Sequence, residues 1–346
     1  MKRSTIFDVA KLAGVSIKTV SRVVNHEPNV REATKIKVEK AITQLQYRPD
    51  QSARNLASHR SHMIGLVYDD PSAYEIPSSG YVMRLQQGAL AACRAANFEL
   101  LIHPCNYRKR QVNAELTSLI EHARPAGIIL AAPLSNMPKI VRAIEATGTP
   151  LVQLSPGNGG GKRLSVVTGD RDASAEMTRY LASLGHKTIA FIKGHPSHKA
   201  VANRFLGYCE GLEEGNLKFS DRLVADGDNS FGSGEACAEK LLKLKNRPTA
   251  IFAANDDMAV GVMRAASRLG IKVPAQLSVA GFDDIALARQ INPTLTTVRQ
   301  PLTDMAELAA EALIKGKNGS ESKSSVQHIP AALKLRDSTG PAPAQA

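Results

Sequence analysis

Two long cationic side chains near the start of the chain are spaced for contact with DNA. Lys18 and Arg22 are four residues apart, so a helix over residues 17–24 places both on one side. Such side chains can reach guanine edges in a major groove. Hydroxyl and amide groups that can hold phosphates belong to Ser16, Thr19, Ser21 and Asn25. The spacing alone is also compatible with an ordinary helical core.

The neighbouring residues predict the helices that would present these side chains. Thr5, followed three residues later by Asp8, matches a capping box at the start of a first helix. Gly14 suits a tight turn, and Ser16 can cap the helix over residues 17–24. The predicted core, with a third helix over residues 31–45, consists of Val20, Val23, Val24, Val38, Ile42 and Leu45. Two short helices joined by a three-residue turn form a helix-turn-helix.

The positive charge of the chain is concentrated in the same region. The formal net charge is +12, from 44 Lys and Arg residues against 32 Asp and Glu residues. Residues 1–62 carry 12 of these cations and 5 of these acids, and the rest of the chain carries 32 against 27. A small basic domain attached to a nearly neutral large one indicates a nucleic-acid partner at one end. A solvated basic face without a partner is the alternative.

From residue 63 onward, short apolar runs alternate with helical patterns. Runs typical of strands cover residues 63–68, 98–102, 126–130, 151–154, 188–192, 249–253 and 277–281, and helical patterns cover 82–96, 173–184, 204–214 and 256–269. This alternation predicts parallel α/β sheets. A glycine-rich break at 156–161 divides the region into two halves. We therefore expect two doubly wound subdomains with a ligand site in the cleft between them.

The sequence offers no catalytic constellation. The glycine-rich break ends in Lys162 and Arg163 without the Gly and Ser/Thr positions of a phosphate-binding loop. No Gly-x-Ser-x-Gly motif is present. His195 and His198 invite a metal site, but a surface loop is the simpler interpretation. We expect no enzyme activity, no metal and no cofactor.

The composition indicates a cytoplasmic protein. No apolar run approaches the roughly 18 residues that a membrane span needs. The first residues are basic but lack the apolar stretch of a signal peptide. The four cysteines form no Cys-x-x-Cys pair and are interpreted as buried thiols in a reducing compartment. No membrane partner is expected.

Several longer stretches form recognisable motifs. The first is Thr5-Ile-Phe-Asp-Val-Ala-Lys-Leu-Ala-Gly-Val-Ser-Ile-Lys-Thr-Val-Ser-Arg-Val-Val-Asn25, which continues through residues 39–49. Later ones are Asn255-Asp-Asp-Met-Ala259, Ser278-Val-Ala-Gly-Phe-Asp-Asp284, Pro293-Thr-Leu-Thr-Thr-Val-Arg-Gln-Pro301 and Leu335-Arg-Asp-Ser338. Over essentially the whole chain, the sequence resembles the LacI/GalR family of bacterial transcription regulators.

The resemblance implies an all-α helix-turn-helix headpiece followed by α/β structure. The α/β part would form two doubly wound parallel-sheet subdomains, as in periplasmic sugar-binding proteins, with the chain crossing between them near residues 162, 291 and 322. The expected parts are a headpiece (1–48), a hinge (49–62), an N-terminal subdomain (63–161 plus 292–321), a C-terminal subdomain (162–291 plus 322–338) and a disordered tail (339–346).

The resemblance also implies roles in DNA binding. In such headpieces the two residues that open the recognition helix, here Ile17 and Lys18, read bases together with Arg22. Thr5 and Tyr47 belong to the same predicted DNA-binding set. The outward face found above agrees with these roles.

In the resembling family the linker folds as a hinge helix on DNA. Paired hinges of a dimer enter the minor groove, where Leu56 would wedge into the central base step beside Ala53 and Arg54. Pyrimidine–purine steps resist such a wedge least, so a central CpG is expected. A flexible tether is the alternative, because so short a segment is not stable as an isolated helix.

For the ligand, the resemblance maps Arg204, Asn255 and Asp283 onto effector contacts. An arginine fork with carboxylate and amide side chains can bracket vicinal hydroxyls. Taken without the family, Asp283 could instead cap a helix, and Arg204 could form a surface ion pair. Asp69 and Ser155, which follow predicted strands, are further candidates, although Asp69 could simply cap a turn.

The sequence departs from the family at one ligand position. Asn229 stands where the family often has an aromatic ring that stacks on the effector. Stacking would then come from Phe231, Tyr74 or Tyr81, or would be absent.

These observations predict a dimeric, ligand-responsive transcriptional repressor. Its expected partners are a palindromic double-stranded DNA operator and a small-molecule effector, a sugar, in the cleft; the controlled genes would serve carbohydrate uptake or catabolism. The resemblance favours induction, in which the ligand releases DNA, and co-repression stays open. A plain sugar-binding receptor and a sugar-processing enzyme are the rival hypotheses.

Overall fold

The computed structural model describes residues 4–24, 30–47, 61–70, 80–157, 163–316 and 326–344. The chain forms two compact units, Met1–His62 and Met63–Ala346, which we call the headpiece and the large unit. Among the described helices, none is both long and apolar enough to cross a bilayer.

The described headpiece contains the helices α1 (Ile6–Ala13), α2 (Ile17–Val24) and α3 (Glu32–Gln44). The capping box is confirmed: Thr5 Oγ1 accepts from the Asp8 amide at 3.4 Å, and Asp8 Oδ2 accepts from the Thr5 amide at 2.8 Å. Gly14 ends α1 with a φ of 65°, a left-handed conformation that glycine favours. Ser16 Oγ accepts from the Thr19 amide at 3.1 Å and caps α2. The helix-turn-helix is therefore present as predicted.

Small apolar side chains from all three helices fill the headpiece core. Its buried members are Val9, Ala10, Val20, Val23, Val38 and Ala41. The predicted core residues Val24, Ile42 and Leu45 are half-buried and pack against this cluster. Because the core is made of valines and alanines, the short helices can approach closely.

The large unit alternates strands and helices as the apolar pattern predicts. In chain order its elements are β1 (Met63–Asp69), α4 (Gly80–Ala95), β2 (Glu99–Cys105), α5 (Val112–Ala123), β3 (Gly127–Leu130), α6 (Pro138–Ala146), β4 (Leu151–Leu154), β5 (Ser165–Thr168), α7 (Asp170–Ser183), β6 (Ile189–Lys193), α8 (Lys199–Glu214), β7 (Val224–Asp226), α9 (Phe231–Leu242), β8 (Ala250–Ala253), α10 (Asp256–Arg268), β9 (Ser278–Asp283), α11 (Leu287–Gln290), β10 (Thr296–Arg299), α12 (Leu302–Ile314), β11 (Val326–Ile329) and β12 (Ala332–Lys334).

These strands form two six-stranded sheets. The first has the order β2-β1-β3-β4-β5-β11 and is parallel throughout. The second has the order β7-β6-β8-β9-β10-β12 and is parallel except for the last pair. The sheets are covered by helices, so their central strands are buried on both faces. This is the predicted pair of doubly wound subdomains.

The crossings between the sheets lie later in the chain than residues 162, 291 and 322. The strand β5 still belongs to the first sheet, β10 to the second and β11 to the first. The chain therefore crosses after Thr168, after Arg299 and after Ile329. The reason is strand pairing: β5 hydrogen-bonds to β4, and β10 to β9, before the chain leaves each sheet.

The predicted disordered tail is wrong for residues 339–344. The Thr339 hydroxyl is buried against Tyr180 and Thr296, at oxygen–oxygen distances of 3.1 and 2.8 Å. The Ala342 amide donates to the Leu184 carbonyl at 2.8 Å. Prolines and alanines suggested disorder, but hydrogen bonds to the second sheet and α7 order the segment.

Candidate functional site

The described part of α2 exposes the residues predicted to read DNA. Ile17 is 40% exposed although it is apolar, and Lys18 and Arg22 are exposed on the same helix. Val20 and Val23 are buried on the opposite side. The helix thus presents one cationic face and buries the other, as a recognition helix requires.

The other predicted DNA-binding residues have structural contacts or lie outside the described residues. The hydroxyl of Thr5 donates to Asp8 Oδ2 at 2.7 Å, and those of Ser16 and Thr19 are 2.9 Å apart. Ser21 and Tyr47 are half-buried. The predictions for Asn25, Ala53, Arg54, Leu56 and Tyr74 fall on residues that the structure does not describe, so they stay predictions.

A cavity of about 130 Å³, which we call the cleft cavity, lies between the two sheets of the large unit. It lies near the carboxyl ends of β1, β4 and β9, where doubly wound folds bind ligands. Seven predicted effector residues line it, namely Asp69, Tyr81, Ser155, Arg204, Asn229, Asn255 and Asp283.

Arg204 on α8 is the central cation of the cleft cavity. Its Nε donates to Asp170 Oδ1 at 2.8 Å, and one terminal nitrogen donates to the Ala254 carbonyl at 2.5 Å. The same nitrogen lies 3.5 Å from Asp283 Oδ1. The guanidinium carbon is 3.8 Å from the centre of the Phe282 ring, a cation–π contact. Only 7% of the side chain is exposed, so the surface ion pair considered from the sequence is excluded.

Asp283 ends β9 with its carboxylate in the same network. Gln300 donates from Nε2 to Asp283 Oδ1. Burial raises the pKa of the Asp283 carboxyl to about 6, although Arg204 and Gln300 act in the opposite direction. The carboxylate is therefore ionised at neutral pH and can accept hydrogen bonds from ligand hydroxyls.

Two neighbouring aspartates fix the turn that carries Asp283. Asp256 Oδ2 accepts from the Ile285 amide at 2.9 Å. Asp284 accepts from Arg299 at 2.6 Å and from Arg336 at 2.5 Å. Both Asp283 and Asp284 have positive φ angles, 118° and 55°. Side-chain hydrogen bonds and ion pairs thus hold an unfavourable backbone conformation at the cavity wall.

Asn255 caps α10 and also reaches across the cleft cavity wall. Its Oδ1 accepts from the Met258 amide at 3.0 Å, and its Nδ2 donates to the Asn229 carbonyl at 2.9 Å. Asn229 itself has a positive φ of 74°. The cap and the ligand position, which the sequence left as alternatives for such residues, are combined in one side chain.

Phe231 does not line the cleft cavity and is a correction to the predicted site. It is the first residue of α9, and its ring lies 6.0 Å from the guanidinium carbon of Arg264. The reason is the start of the helix: Ser230 caps α9, which points Asn229 at the cavity and turns Phe231 towards α10. Of the described aromatic candidates, Tyr81 does line the cavity.

Sequence reasoning missed His198 and Gln300 as lining residues. Gln300 lies inside the motif that ends at Pro301, so its position was visible but its role was not. Burial lowers the pKa of His198 to about 3, and the charges of Arg204 and His195 act in the same direction. A neutral imidazole therefore faces the cavity. Over the described residues, no group of three His, Cys, Asp or Glu side chains could hold a metal ion.

Family comparisons agree with this architecture. Residues 5–50 match the family model described as Bacterial regulatory proteins, lacI family. Residues 178–339 match the model described as Periplasmic binding protein-like domain.

Full-length relatives are all named as regulators. Catabolite control protein A of Priestia megaterium is 31% identical over 336 residues, which cover 97% of this chain and 99% of the relative. The ribose operon repressor of Escherichia coli (strain K12) is 32% identical over 316 residues, covering 90% and 92%. The HTH-type transcriptional regulator GalR of the same strain is 33% identical over 309 residues, covering 89% and 88%.

Solved structures share the whole fold. A lac repressor dimer bound to operator and the anti-inducer ONPF is 28% identical with a TM-score of 0.78, covering 98% of this chain and 100% of that one. A complex of the transcriptional regulator CelR with cellobiose is 27% identical with a TM-score of 0.74, covering 97% and 100%.

The fold and the site together define the class of protein: a helix-turn-helix DNA-binding headpiece joined to a two-subdomain α/β unit with a polar cleft. The chain belongs to the lacI family of bacterial transcription regulators. Its relatives are regulators and not enzymes, as predicted.

Proposed function

We propose that the chain is a dimeric repressor whose affinity for a palindromic operator is controlled by a sugar in the cleft cavity. The observation that carries this proposal is the cleft cavity itself, where a buried arginine, carboxylates and amides converge between two subdomains. Carboxylates and amides of this kind bind vicinal hydroxyls. The cellobiose complex and the ribose operon repressor among its relatives support a sugar effector.

Dimerisation and hinge insertion are parts of the same proposal. A two-fold protein matches a palindromic operator, and the related lac repressor was solved as a dimer on its operator. Leu56 of each hinge would wedge into a central CpG step, with Ala53 and Arg54 beside it. Sugar binding would shift the balance between two arrangements of the subdomains and release DNA, a coupling between two sites.

Enrichment of genomic fragments on the purified protein tests the DNA part. Binding should be measured at about 0.15 M salt, because nonspecific affinity falls steeply with salt. Enrichment of one palindrome with a central CpG is the expected result, and its neighbouring genes would identify the controlled pathway. Uniform binding that disappears with salt would contradict the proposal and favour a plain sugar receptor.

Replacement of Arg22 by alanine is expected to weaken operator binding by about 1–3 kcal/mol, the usual contribution of a good base contact. Binding to random DNA should change far less, because only phosphate attraction is lost there. The control is Lys37→Ala, which removes the same charge from an exposed position on α3. Fluorescence anisotropy with operator and scrambled duplexes measures both. Equal losses on the two duplexes would show that Arg22 contacts phosphate only.

Effector affinity is expected to fall in acid because Asp283 must be ionised to accept from a sugar hydroxyl. With its pKa at about 6, the apparent Kd should rise about tenfold between roughly pH 7.5 and pH 5. His198 is neutral over this range and adds nothing. Calorimetric titration of the best-binding sugar at several pH values gives the profile, and Asp283→Asn should flatten it. A flat profile for the natural chain would remove Asp283 from the set of sugar contacts.

A further inference from the structure

A second cavity of about 230 Å³ adjoins the cleft cavity. Ser155 and Ala200 line both cavities. Arg204 lines the cleft cavity and its partner Asp170 lines the second one, so their ion pair stands between the two spaces. We call the second space the side cavity. Its other polar described lining residues are Thr168, Asn203 and His328.

The side cavity contains a polar group that needs a partner. Thr168 is only 6% exposed, and its Oγ1 has no hydrogen-bond partner within the described part of the chain. An unsatisfied buried hydroxyl is costly, and native proteins normally supply a partner. Asp170, 5% exposed, directs its carboxylate to the same space and uses Oδ1 for Arg204. The wall thus offers a hydroxyl, a carboxylate and, from Asn203 on α8, an amide.

The charges of both cavities exclude an anionic ligand. The described lining of the side cavity has one carboxylate and neither Lys nor Arg. In the cleft cavity, Arg204 is neutralised by Asp170 and Asp283, and Asp69 and Asp228 add further negative charge. A sugar phosphate or a uronate would be repelled, whereas uncharged hydroxyls find acceptors in both places.

We propose that the effector is an uncharged disaccharide or glycoside that occupies both cavities. One unit lies in the cleft cavity against Arg204 and Asp283. The second lies in the side cavity, where its hydroxyls bond to Thr168, Asp170 and Asn203. This inference rests on the proposed function, because it assigns a ligand class to the same cleft.

Calorimetry with the full-length protein tests the assignment. The probes are glucose, galactose and ribose, the disaccharides cellobiose, lactose, maltose and sucrose, and glucuronate as the charged probe. A disaccharide should bind most tightly, and glucuronate should not bind. Thr168→Val, which keeps the shape and removes the hydroxyl, should weaken that disaccharide about three- to tenfold, the loss of one hydrogen bond. Monosaccharide affinity should be unchanged.

The matched control is Ser174→Ala on α7. Its hydroxyl is also buried without a partner in the described structure, but it lines neither cavity. A second variant, Asn203→Ala, changes a half-buried residue on α8 and should give the same selective loss. Its control is Asn113→Ala on α5, whose Oδ1 is equally unpartnered but distant from the site.

The outcomes separate this inference from the proposed function. Tight binding of monosaccharides with no response to Thr168→Val or Asn203→Ala would leave the side cavity as a space for water, and the disaccharide assignment would be wrong. Tight binding of glucuronate would overturn the charge argument. Failure of every sugar to bind, or to change operator affinity, would contradict both the inference and the sugar-responsive function.

Discussion

Replacement of Arg204 by alanine is expected to lower the free energy of unfolding of the large unit by about 3–5 kcal/mol and to abolish sugar binding. The loss arises because the side chain is 7% exposed and neutralises two carboxylates that are almost equally buried, Asp170 and Asp283. Without the guanidinium, both negative charges stay in a low-dielectric environment with no counter-ion. The packing of Arg204 on Phe282 is lost as well.

A second ion pair between the same two helices supplies the control. Arg171 on α7 donates from Nε to Glu210 Oε2 on α8 at 2.7 Å. This pair is exposed, whereas the Arg204–Asp170 pair next to it is buried. Arg171→Ala should therefore leave the free energy of unfolding almost unchanged, since solvent screens exposed pairs. Denaturant unfolding followed by circular dichroism compares the two variants. Similar losses would show that burial is not the source of the Arg204 effect.

The double variant Arg204→Ala with Asp170→Asn isolates the electrostatic part. Removing the second charge should recover part of the stability, because one uncompensated carboxylate is gone. The Arg204→Ala protein should also become more stable as the pH falls towards the pKa of its buried carboxyls. Burial raises the pKa of Asp170 and Asp283 above their unfolded values, so the folded state takes up protons first. A penalty that did not change with pH would point to packing alone.

Local sequence signals predicted the headpiece and the strand–helix alternation. The capping box at Thr5 and Asp8 and the glycine turn at Gly14 are short-range features whose outcome depends on a few adjacent atoms. The crossings between sheets were misplaced because they depend on which strand pairs with which. The strand β5, four residues long, belongs to the first sheet only through its bonds to β4 and β11.

The cleft residues were predictable by motif, and their geometry was not. Arg204, Asn255 and Asp283 lie far apart in the chain, and the resemblance alone brought them together. The orientation of Phe231 depends on the cap at Ser230 that starts α9, which turns the ring away from the cavity. Asp170 carries no motif in the sequence, and its role appears only when α7 and α8 pack side by side.

The C-terminal segment shows most clearly why composition is a weak guide to local order. Pro, Ala and Gly suggested disorder, but the backbone groups of the segment complete the second sheet. The Val279 amide donates to the Ser338 carbonyl at 2.8 Å, and the Thr296 amide donates to Ser338 Oγ at 2.8 Å. His186, 1% exposed, lies 3.1 Å through Nε2 from the Gly340 carbonyl. These partners are set by tertiary structure and leave no local signal.

Truncation after Asp337 is therefore expected to destabilise the large unit by about 5 kcal/mol or more, since roughly six hydrogen bonds at about 1 kcal/mol each are lost. Buried polar groups on Val279, Thr296 and His186 would be left without partners. Denaturant unfolding measures the loss, and truncation after Ala344 is the control that should have no effect. Were the segment disordered as its composition suggests, the two truncated chains would be equally stable.

A single substitution separates the contribution of Ser338 from that of the missing chain. The Ser338 hydroxyl donates to the Val279 carbonyl at 2.6 Å and accepts from the Thr296 amide, and the residue is fully buried. Ser338→Ala should cost about 1–3 kcal/mol, because it leaves a buried backbone amide unpaired. If this substitution matched the whole truncation, one hydroxyl would order the segment. A much smaller loss would place the stabilisation in the backbone bonds made by residues 338–342.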